Sequence, residues 1–485
     1  MIEALDTKKM RMLLLGTHCL ILVLAFCLPH APSPDQATYM GLANGLAHGV
    51  YSVWYGILDP APIDLLRTHG YPVFLLLVGS ISTRADLVFA AQAVLHLGTL
   101  LIILRLVGKG EHPVRRQNMF LILMIPQVQV IYYVYQIFPE TLMSFLSTWL
   151  VLVFAGTGGE KQRCVLLAVV SALAFWVRPV MLLFPLFVLL ADLLFVGKGT
   201  RFARARFNSS SLALFLILGP LPFGLWNLQQ HGVFKPVPLS GSAVNSNLGI
   251  WQLRLPGYGT MHYFQYNYFG REFIPLVNEK EAARYYEAYQ EQWARIDAAT
   301  QGAMTAQDKL NKPLMAEHIN ELYVTRSPQY TVALDQAIAK ENRQMMVNEP
   351  FYYLATRLYA GLRLWVTNIN FPMTKIVYEP KPGVQPIVGR PAGMKSWIGS
   401  LAPFALTAVS FGIGLPWLVY QIIRDRRKWI ERRYMLYLVA YLWIIHIPMS
   451  IQSRYTIPVH AIAIACIAMA LVDKREARNP VSVIG

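Results

Sequence analysis

Charged residues are scarce in this chain, and their scarcity excludes an ordinary soluble protein. Asp, Glu, Lys and Arg make up 14% of the 485 residues, whereas soluble domains average about 25%. Hydrophobic residues account for 55% of the chain. This composition is typical of a polytopic membrane protein, and we expect an all-α fold.

Cysteine is also rare, which excludes a disulfide-based or metal-based scaffold. The four cysteines lie in or at the ends of apolar stretches, and their spacing matches no metal site or disulfide framework: Cys19, Cys27, Cys164 and Cys466. The first apolar stretch ends in bulky residues and lacks a small-residue cleavage site. We therefore expect it to be an uncleaved first helix.

Long apolar stretches recur along the chain and predict about ten transmembrane helices. A helix needs ~20 residues to cross a bilayer upright, and several of these stretches are shorter. A further apolar stretch at 71–82 is too short for a span, so we expect it to lie in the membrane interface. The ten predicted spans are 12–27, 87–107, 119–135, 141–154, 164–177, 180–196, 211–226, 398–423, 434–447 and 455–472.

The distribution of lysine and arginine predicts the orientation. Basic residues precede the first span and fill every second gap, whereas the alternate short gaps hold only Arg67, Arg84, Arg178 and Arg454. By the positive-inside rule, both termini are cytoplasmic and the alternate gaps face the periplasm or the cell exterior. We expect a multi-pass protein of a bacterial cytoplasmic (inner) membrane. Its formal charge of +16 serves topology and contact with anionic lipids and requires no nucleic acid.

The predicted spans divide the chain into four regions. Residues 1–226 form an N-terminal transmembrane module that includes a first outer loop at 28–86. Residues 227–396 form an extracytoplasmic domain, residues 397–473 the last transmembrane helices, and residues 474–485 a cytoplasmic tail.

Periodicity predicts helices in both outer regions. In the first loop Tyr39, Leu42, Leu46 and Val50 form an apolar stripe, typical of a helix that lies flat on the membrane or packs on protein. In the outer domain we expect helices at 281–296 and 330–345. A further helix is expected to start at 348–350, with one apolar stripe of Leu354, Leu358, Leu362 and Trp365. Residues 227–273 are rich in Gly, Pro and Ser and predict irregular loop with short strands.

Asp35 is the first acidic residue after the first span, in the sequence Pro34-Asp35-Gln36. A carboxylate at the point where the chain leaves a bilayer is well placed for chemistry on a substrate that lies in the membrane. The alternative is a solvated loop acid, which is the usual role of a lone aspartate.

Several motifs in the predicted outer segments give the chain a family resemblance. Asp35 is followed by Arg67-Thr68-His69-Gly70-Tyr71-Pro72, which is similar to a recurrent Arg-x-x-Gly-Tyr-Pro. Further matches are Pro139-Glu140, Arg178-Pro179, the segment 227–248 and Ser453-Arg454-Tyr455. In this order the chain resembles the GT-C superfamily of integral-membrane glycosyltransferases, in particular the bacterial group related to protein O-mannosyltransferases and aminoarabinose transferases. It departs from many relatives at Gln36, where they have a second acid, and at Trp226, where they have Arg.

The resemblance implies an enzyme of cell envelope biogenesis. Such an enzyme moves a sugar from a polyprenyl-phosphate donor to a lipid, glycan or protein acceptor at the outer face of the membrane. Asp35 would be the general base, and the expected outcome is inversion at the anomeric carbon. Arg67, Arg178 and Arg454 would bind the donor phosphate, because a guanidinium group binds phosphate bidentately and stays charged. Interface anchoring, or for Arg67 an ion pair with Asp35, is the alternative role of these arginines.

Other outward residues are candidates for orienting the substrate: Asp59, Asp64, His69, Glu140, Asn227 and Tyr455. Some relatives bind a divalent cation through a histidine and an acid. Here His69 and His231 have no acid at a compact spacing, so a cation is possible and no metal ligand is assigned.

Two other functions fit a membrane protein with a large outer insertion. A surface-polysaccharide polymerase or ligase also carries a large late loop, but typically depends less on an aspartate in the first loop. A transporter or flippase of lipid-linked sugars often has repeated halves and interrupted helices around a midplane site. No such repeat is evident in this sequence, so we favour the transferase.

Overall fold

The computed structural model describes residues 7–27, 35–57, 59, 61–79, 85–109, 112–156, 159–196, 198–239, 242–251, 279–309, 326–365, 394–449 and 453–476. Over these residues the regular structure is helical and no strand is present. This agrees with the predicted all-α fold. The helices that precede the outer-domain helices in the chain are α1 Lys8–Phe26, α2 Gln36–Ala47, α3 Gly70–Leu77, α4 Ala85–Val107, α5 Pro113–Met124, α6 Val128–Val134, α7 Glu140–Phe154, α8 Glu160–Val177, α9 Phe184–Phe195, α10 Lys198–Leu218 and α11 Pro220–His231.

The remaining helices belong to the outer domain and to the C-terminal part of the chain. They are α12 Ser242–Trp251, α13 Glu279–Thr300, α14 Pro328–Asn348, α15 Pro350–Arg363, α16 Met394–Arg424, α17 Arg426–Glu431, α18 Arg433–His446 and α19 Ile457–Glu476. Short 3₁₀ turns at Pro179–Leu183 and Ser453–Tyr455 lead into α9 and α19.

Only some of the ten predicted transmembrane spans correspond to helices that are long and apolar enough to cross a bilayer. Among the described residues, three helices are long and apolar enough to cross a bilayer: Lys8–Phe26, Ala85–Val107 and Thr200–His231. Glu140–Phe154, Pro179–Phe195 and Ile457–Asp473 are apolar but shorter. The presence of apolar spans agrees with a membrane protein, while the number of ten and the sidedness stay predictions.

One predicted span is broken by a sharp bend, and a second contains a Gly-Pro junction within a long helical stretch. The span at 119–135 consists of α5 and α6, which meet at a bend of 76°. Pro126 lies in the break, where a proline cannot donate the backbone hydrogen bond that a continuous helix needs. The predicted span at 211–226 likewise covers the end of α10 and the start of α11, with Gly219 and Pro220 at the junction.

Helix α19 is the central helix of the bundle. Its side chains are buried almost without exception from Ile457 to Val472, and it packs on α4, α5, α7, α16 and α18. Alanines at alternate positions from 461 to 465 allow neighbouring helices to approach closely. A helix that is apolar on every side is expected to be buried in this way.

One end of α19 carries an ionic cluster. Asp473 accepts hydrogen bonds from Arg116 at 2.6 Å and from Arg432 at 2.9 Å, and Lys428 lies 3.1 Å away. These cations come from separate basic gaps of the sequence, which the fold brings together at the same end. Arg67, Arg178 and Arg454, from the alternate gaps, lie together at the other end of the bundle.

The first loop supports the site through two short helices. Tyr39 and Leu42 of α2 are buried, and α2 packs on α3. The stripe predicted for this segment therefore contacts protein, which decides between the two alternatives left open by the sequence. Gly70 begins α3 where a Cβ would lie 2.5 Å from the Trp176 backbone, so only glycine allows α3 to approach α8 this closely.

The outer domain is helical where the structure describes it. Helices α12, α13 and α14 share a small core that includes Trp251, Ile296 and Ile338. Helices α13 and α14 extend the predicted helices at 281–296 and 330–345. The prediction of irregular loop or strand was wrong at 227–231, which belong to α11, and at 242–251, where α12 forms. Residues 252–273 lie outside the described residues. The boundary of this domain at 227–396 stays a prediction.

Candidate functional site

Asp35 is the N-cap residue of α2 and is engaged by two arginines. It precedes α2, and its carboxylate makes no capping hydrogen bond to that helix. Arg454 Nη1 donates to Asp35 Oδ2 at 2.8 Å, and Arg67 Nη2 lies 3.5 Å from Oδ1. The two arginines are 387 positions apart in sequence, so this contact depends on the tertiary fold.

Glu140 joins the third arginine to the same cluster. It begins α7, where the positive end of the helix dipole favours a negative charge, and it is fully buried. Arg178 donates to Glu140 Oε1, and Arg454 Nε lies 4.0 Å from the same oxygen. Glu140 Oε2 is buried and accepts no hydrogen bond from the described residues. We call Asp35, Arg67, Glu140, Arg178 and Arg454 the arginine–carboxylate cluster.

Aromatic rings hold the three guanidinium groups. Arg67 lies 5.3 Å from the Tyr39 ring centroid, and Arg454 lies 5.1 Å from that of Phe138. The ring centroid of Tyr455 is 5.9 Å from the guanidinium group of Arg178 and 6.0 Å from that of Arg454. Cation–π contact within about 6 Å stabilises an arginine in a fixed position. The rings therefore preorient the arginines.

The cluster is positively charged and partly open to solvent. Its three arginines and two carboxylates leave one net positive charge, and Asp35 and Arg454 keep side-chain exposures of 16% and 23%. Burial alone would raise the Asp35 pKa, but the charges of Arg454 and Arg67 outweigh it and hold that pKa below its usual value. Asp35 is thus ionised, and the excess positive charge suits an anionic ligand.

Three of the other sequence-based candidates, Asp59, Asp64 and Asn227, lie outside the cluster. Asp59 is exposed. Asp64 accepts the backbone N–H groups of Leu66 and Arg67 at 2.9 and 2.8 Å, which stabilises the turn that carries Arg67. Burial raises the Asp64 pKa. Asn227 donates to the carbonyls of residues 235 and 237, at 2.5 and 3.0 Å, and so anchors the loop after α11.

His69 lies in an aromatic enclosure. Its ring is 3.9 Å from that of Tyr51 and 4.5 Å from that of Trp226, with Trp176 and Phe223 also in contact. Burial lowers its pKa to about 4. Trp226, which stands where many relatives of the resembled family have Arg, thus packs on His69. Over the described part of the chain no group of three His, Cys, Asp or Glu side chains could hold a metal ion.

Sequence reasoning did not identify three aromatic members of the site, Tyr39, Phe138 and His446. His446 stacks on Tyr455 with ring centroids 4.4 Å apart. Tyr39 was placed on an apolar stripe, and Phe138 directly precedes the Pro139-Glu140 motif. Both lie within a few residues of a predicted acid, which is the signal that could have identified them.

Comparison with known proteins gives limited similarity. No family model matches the chain, and no curated protein matches it. Two solved structures of ArnT from Cupriavidus metallidurans are similar to it, one in the apo state and one bound to undecaprenyl phosphate. The sequence identities are 13% and 12%, both at a TM-score of 0.38. The matches cover 95% and 96% of this chain and 76% and 78% of those chains. Similarity of this extent does not identify a shared reaction.

Proposed function

We propose that this protein is a membrane glycosyltransferase that uses a polyprenyl-phosphate sugar as donor and works at the outer face of the membrane. The observation that supports this most is the convergence of Asp35 with Arg67, Arg178 and Arg454 at one end of the helical bundle. A general base and a phosphate-binding group are the two elements that such a transfer needs. The bilayer rim is where a polyprenyl phosphate presents its headgroup.

The proposed chemistry assigns each group one task. The acceptor hydroxyl or amine forms a bond to the anomeric carbon of the donor, while the bond from that carbon to the phosphate oxygen breaks. The proton of the acceptor goes to Asp35, and the bonding electrons leave with the polyprenyl phosphate. Arg178 and Arg454 neutralise the charge that grows on this leaving group. Attack opposite the phosphate inverts the anomeric carbon.

Ion pairing of Asp35 suggests how the donor prepares the base. Arg454 and Arg67 hold its carboxylate, and a carboxylate with a lowered pKa is a weak base. The phosphodiester anion of the donor competes for the same guanidinium groups. Once the phosphate binds, Asp35 loses part of this stabilisation, so its pKa rises and it becomes a better proton acceptor.

The decisive experiment compares wild type with Asp35→Asn in proteoliposomes that contain radiolabelled polyprenyl-phosphate sugar and membrane lipid acceptors. We expect wild type to transfer label to an acceptor and release polyprenyl phosphate. The variant should bind donor without transferring it. Asp59→Asn, an exposed acid of the same loop, is the matched control and should retain transfer.

Two outcomes would contradict the proposal. Label that crosses the membrane still attached to its carrier, with no new glycosidic product, would indicate a transporter. Equal transfer by wild type and Asp35→Asn would remove Asp35 from the reaction.

A further inference from the structure

Helix α15 exposes a continuous apolar face. Phe351, Leu354, Leu358 and Leu362 have relative exposures of 87%, 56%, 63% and 67%. Their spacing of three and four residues places them on one side of the helix, along about 17 Å at 1.5 Å per residue. Trp365, which the sequence placed on the same stripe, is buried. We call these four exposed residues the α15 apolar face.

The opposite side of α15 is fixed against the ends of two helices. Arg357 is buried and donates to the carbonyls of Gly249 and Met449, at 2.5 and 3.1 Å. Trp443 Nε1 of α18 donates to the Gly361 carbonyl at 2.9 Å. Thr456, which directly precedes α19, donates to the Leu364 carbonyl at 2.9 Å. The orientation of the α15 apolar face relative to α18 and α19 is therefore set by the protein.

This attachment places α15 at the level where predicted spans end. Both α18 and α19 coincide with predicted spans, and α15 contacts α18 near residues 443–449. Ile444, next to Trp443, is itself 54% exposed, as expected for a side chain that faces lipid. Exposed apolar side chains therefore occur on α18 as well as on α15 in the region where the two helices meet.

The charge distribution along α15 points to the same environment. The charged residues of α15 are Arg357 and, at its last position, Arg363. Arg357 is 3% exposed and faces the protein, so the length of the α15 apolar face from 351 to 362 carries no exposed charge. A helix on the outside of a water-exposed domain normally carries charges on its solvated face. Tyr352, Tyr353 and Tyr359 add residues that are enriched at membrane interfaces.

We propose that the α15 apolar face is immersed in the acyl chains of the leaflet on the side of the arginine–carboxylate cluster, so that α15 is a monotopic helix lying in the bilayer interface. Ala360 and Leu364, on its protein side, pack with Tyr455, which lies between Arg178 and Arg454. The partner of this surface is bulk membrane lipid. The inference rests on the packing of α15 and does not depend on the proposed reaction.

The test measures the lipid exposure of single labelled cysteines in the full-length protein. The four native cysteines are replaced, and Leu354→Cys and Leu358→Cys are labelled separately with an environment-sensitive fluorophore. Lys340→Cys, at an exposed position of α14, is the control from the same domain. Each protein is placed in phosphatidylcholine nanodiscs with or without lipids that are spin-labelled on their acyl chains, and each variant is first checked for an unchanged melting temperature.

We expect the labels at 354 and 358 to show blue-shifted emission and to lose intensity with the spin-labelled lipids, while the label at 340 is quenched only by aqueous iodide. Labels at 354 and 358 that behave like the label at 340 would show a solvated face and overturn the proposal. Labels shielded from both quenchers would show that protein covers the face, and would overturn it equally.

Discussion

The Asp35→Asn substitution should change donor binding and transfer in opposite directions. Asp35 is paired with guanidinium groups of Arg454 and Arg67 that the donor phosphate is proposed to use. Asparagine has nearly the same shape but no charge. It therefore removes a competitor for the phosphate together with the base, and the cluster gains a second net positive charge.

The structure gives the size of each effect. Arg454 donates a hydrogen bond to Asp35 at 2.8 Å, and such a charged hydrogen bond contributes ~1.5–3 kcal/mol. Both side chains are partly solvated, with exposures of 23% and 16%, so we discount this to ~1–2 kcal/mol. Donor affinity should then rise about 5- to 30-fold, because 1.4 kcal/mol corresponds to a factor of ten. Loss of the general base should slow transfer by ~10²–10⁴.

The assay pairs isothermal titration of the polyprenyl-phosphate sugar, without acceptor, with single-turnover transfer of labelled sugar, for wild type, Asp35→Asn and Asp59→Asn. The exposed Asp59 should leave both quantities unchanged. Weaker binding by Asp35→Asn would refute the reasoning, since it would mean that Asp35 holds the arginines in a shape the phosphate needs. Tighter binding with unchanged transfer would retain the phosphate site and exclude Asp35 as base.

Three further changes test the frame around the site. Burial lowers the pKa of His69 to about 4 from 6.5, so the unfolded chain binds a proton more strongly, and ~2 kcal/mol of unfolding free energy should be lost between about pH 7.5 and pH 5. His69→Phe should remove this loss in thermal melts recorded at both pH values. An unchanged loss would mean that other groups cause it. Gly70→Ala places a methyl group 2.5 Å from the Trp176 backbone and should cost about 1–3 kcal/mol, seen as a lower melting temperature, whereas Gly302→Ala, in open space, should not. Arg357→Met leaves the buried Gly249 carbonyl without its arginine partner and should cost ~1–3 kcal/mol; a wild-type melt of this variant would show that the contact contributes nothing.

The sequence predicts helical segments well and their interruptions poorly. Apolar length alone places a span at 119–135, but the bend at Pro126 depends on a proline whose effect is known only once its neighbours are packed. Amphipathic spacing predicts the helices at 281–296 and 330–345 to within a few residues at each end. It does not tell which face is covered, and so the leucines of α15 were grouped with Trp365, although only Trp365 is buried.

For the candidate site too, the sequence pattern predicts some residues correctly as neighbours and gives no information on others. The alternation of basic gaps selected Arg67, Arg178 and Arg454 for one side of the bundle, and the fold brings these three together around Asp35 and Glu140. Whether each belongs to a catalytic site stays a prediction. The loop candidates Asp64 and Asn227 instead bond to nearby backbone, because side-chain direction in an irregular loop follows no period that a sequence reveals.

Helix α19 is tethered by charge at both ends. Arg454 lies in the 3₁₀ turn that precedes α19, and Asp473 lies near the end of the helix, 16 residues after Ile457. These 16 residues correspond to about 24 Å of helix, most of the ~30 Å thickness of a hydrocarbon core. Sliding α19 by one residue along its axis would pull both ion-paired groups, at 2.8 and 2.6 Å, away from their partners at once. α19 therefore fixes the distance between the ion pairs of Asp35 and those of Asp473, and these ion pairs oppose translation of the helix along its axis.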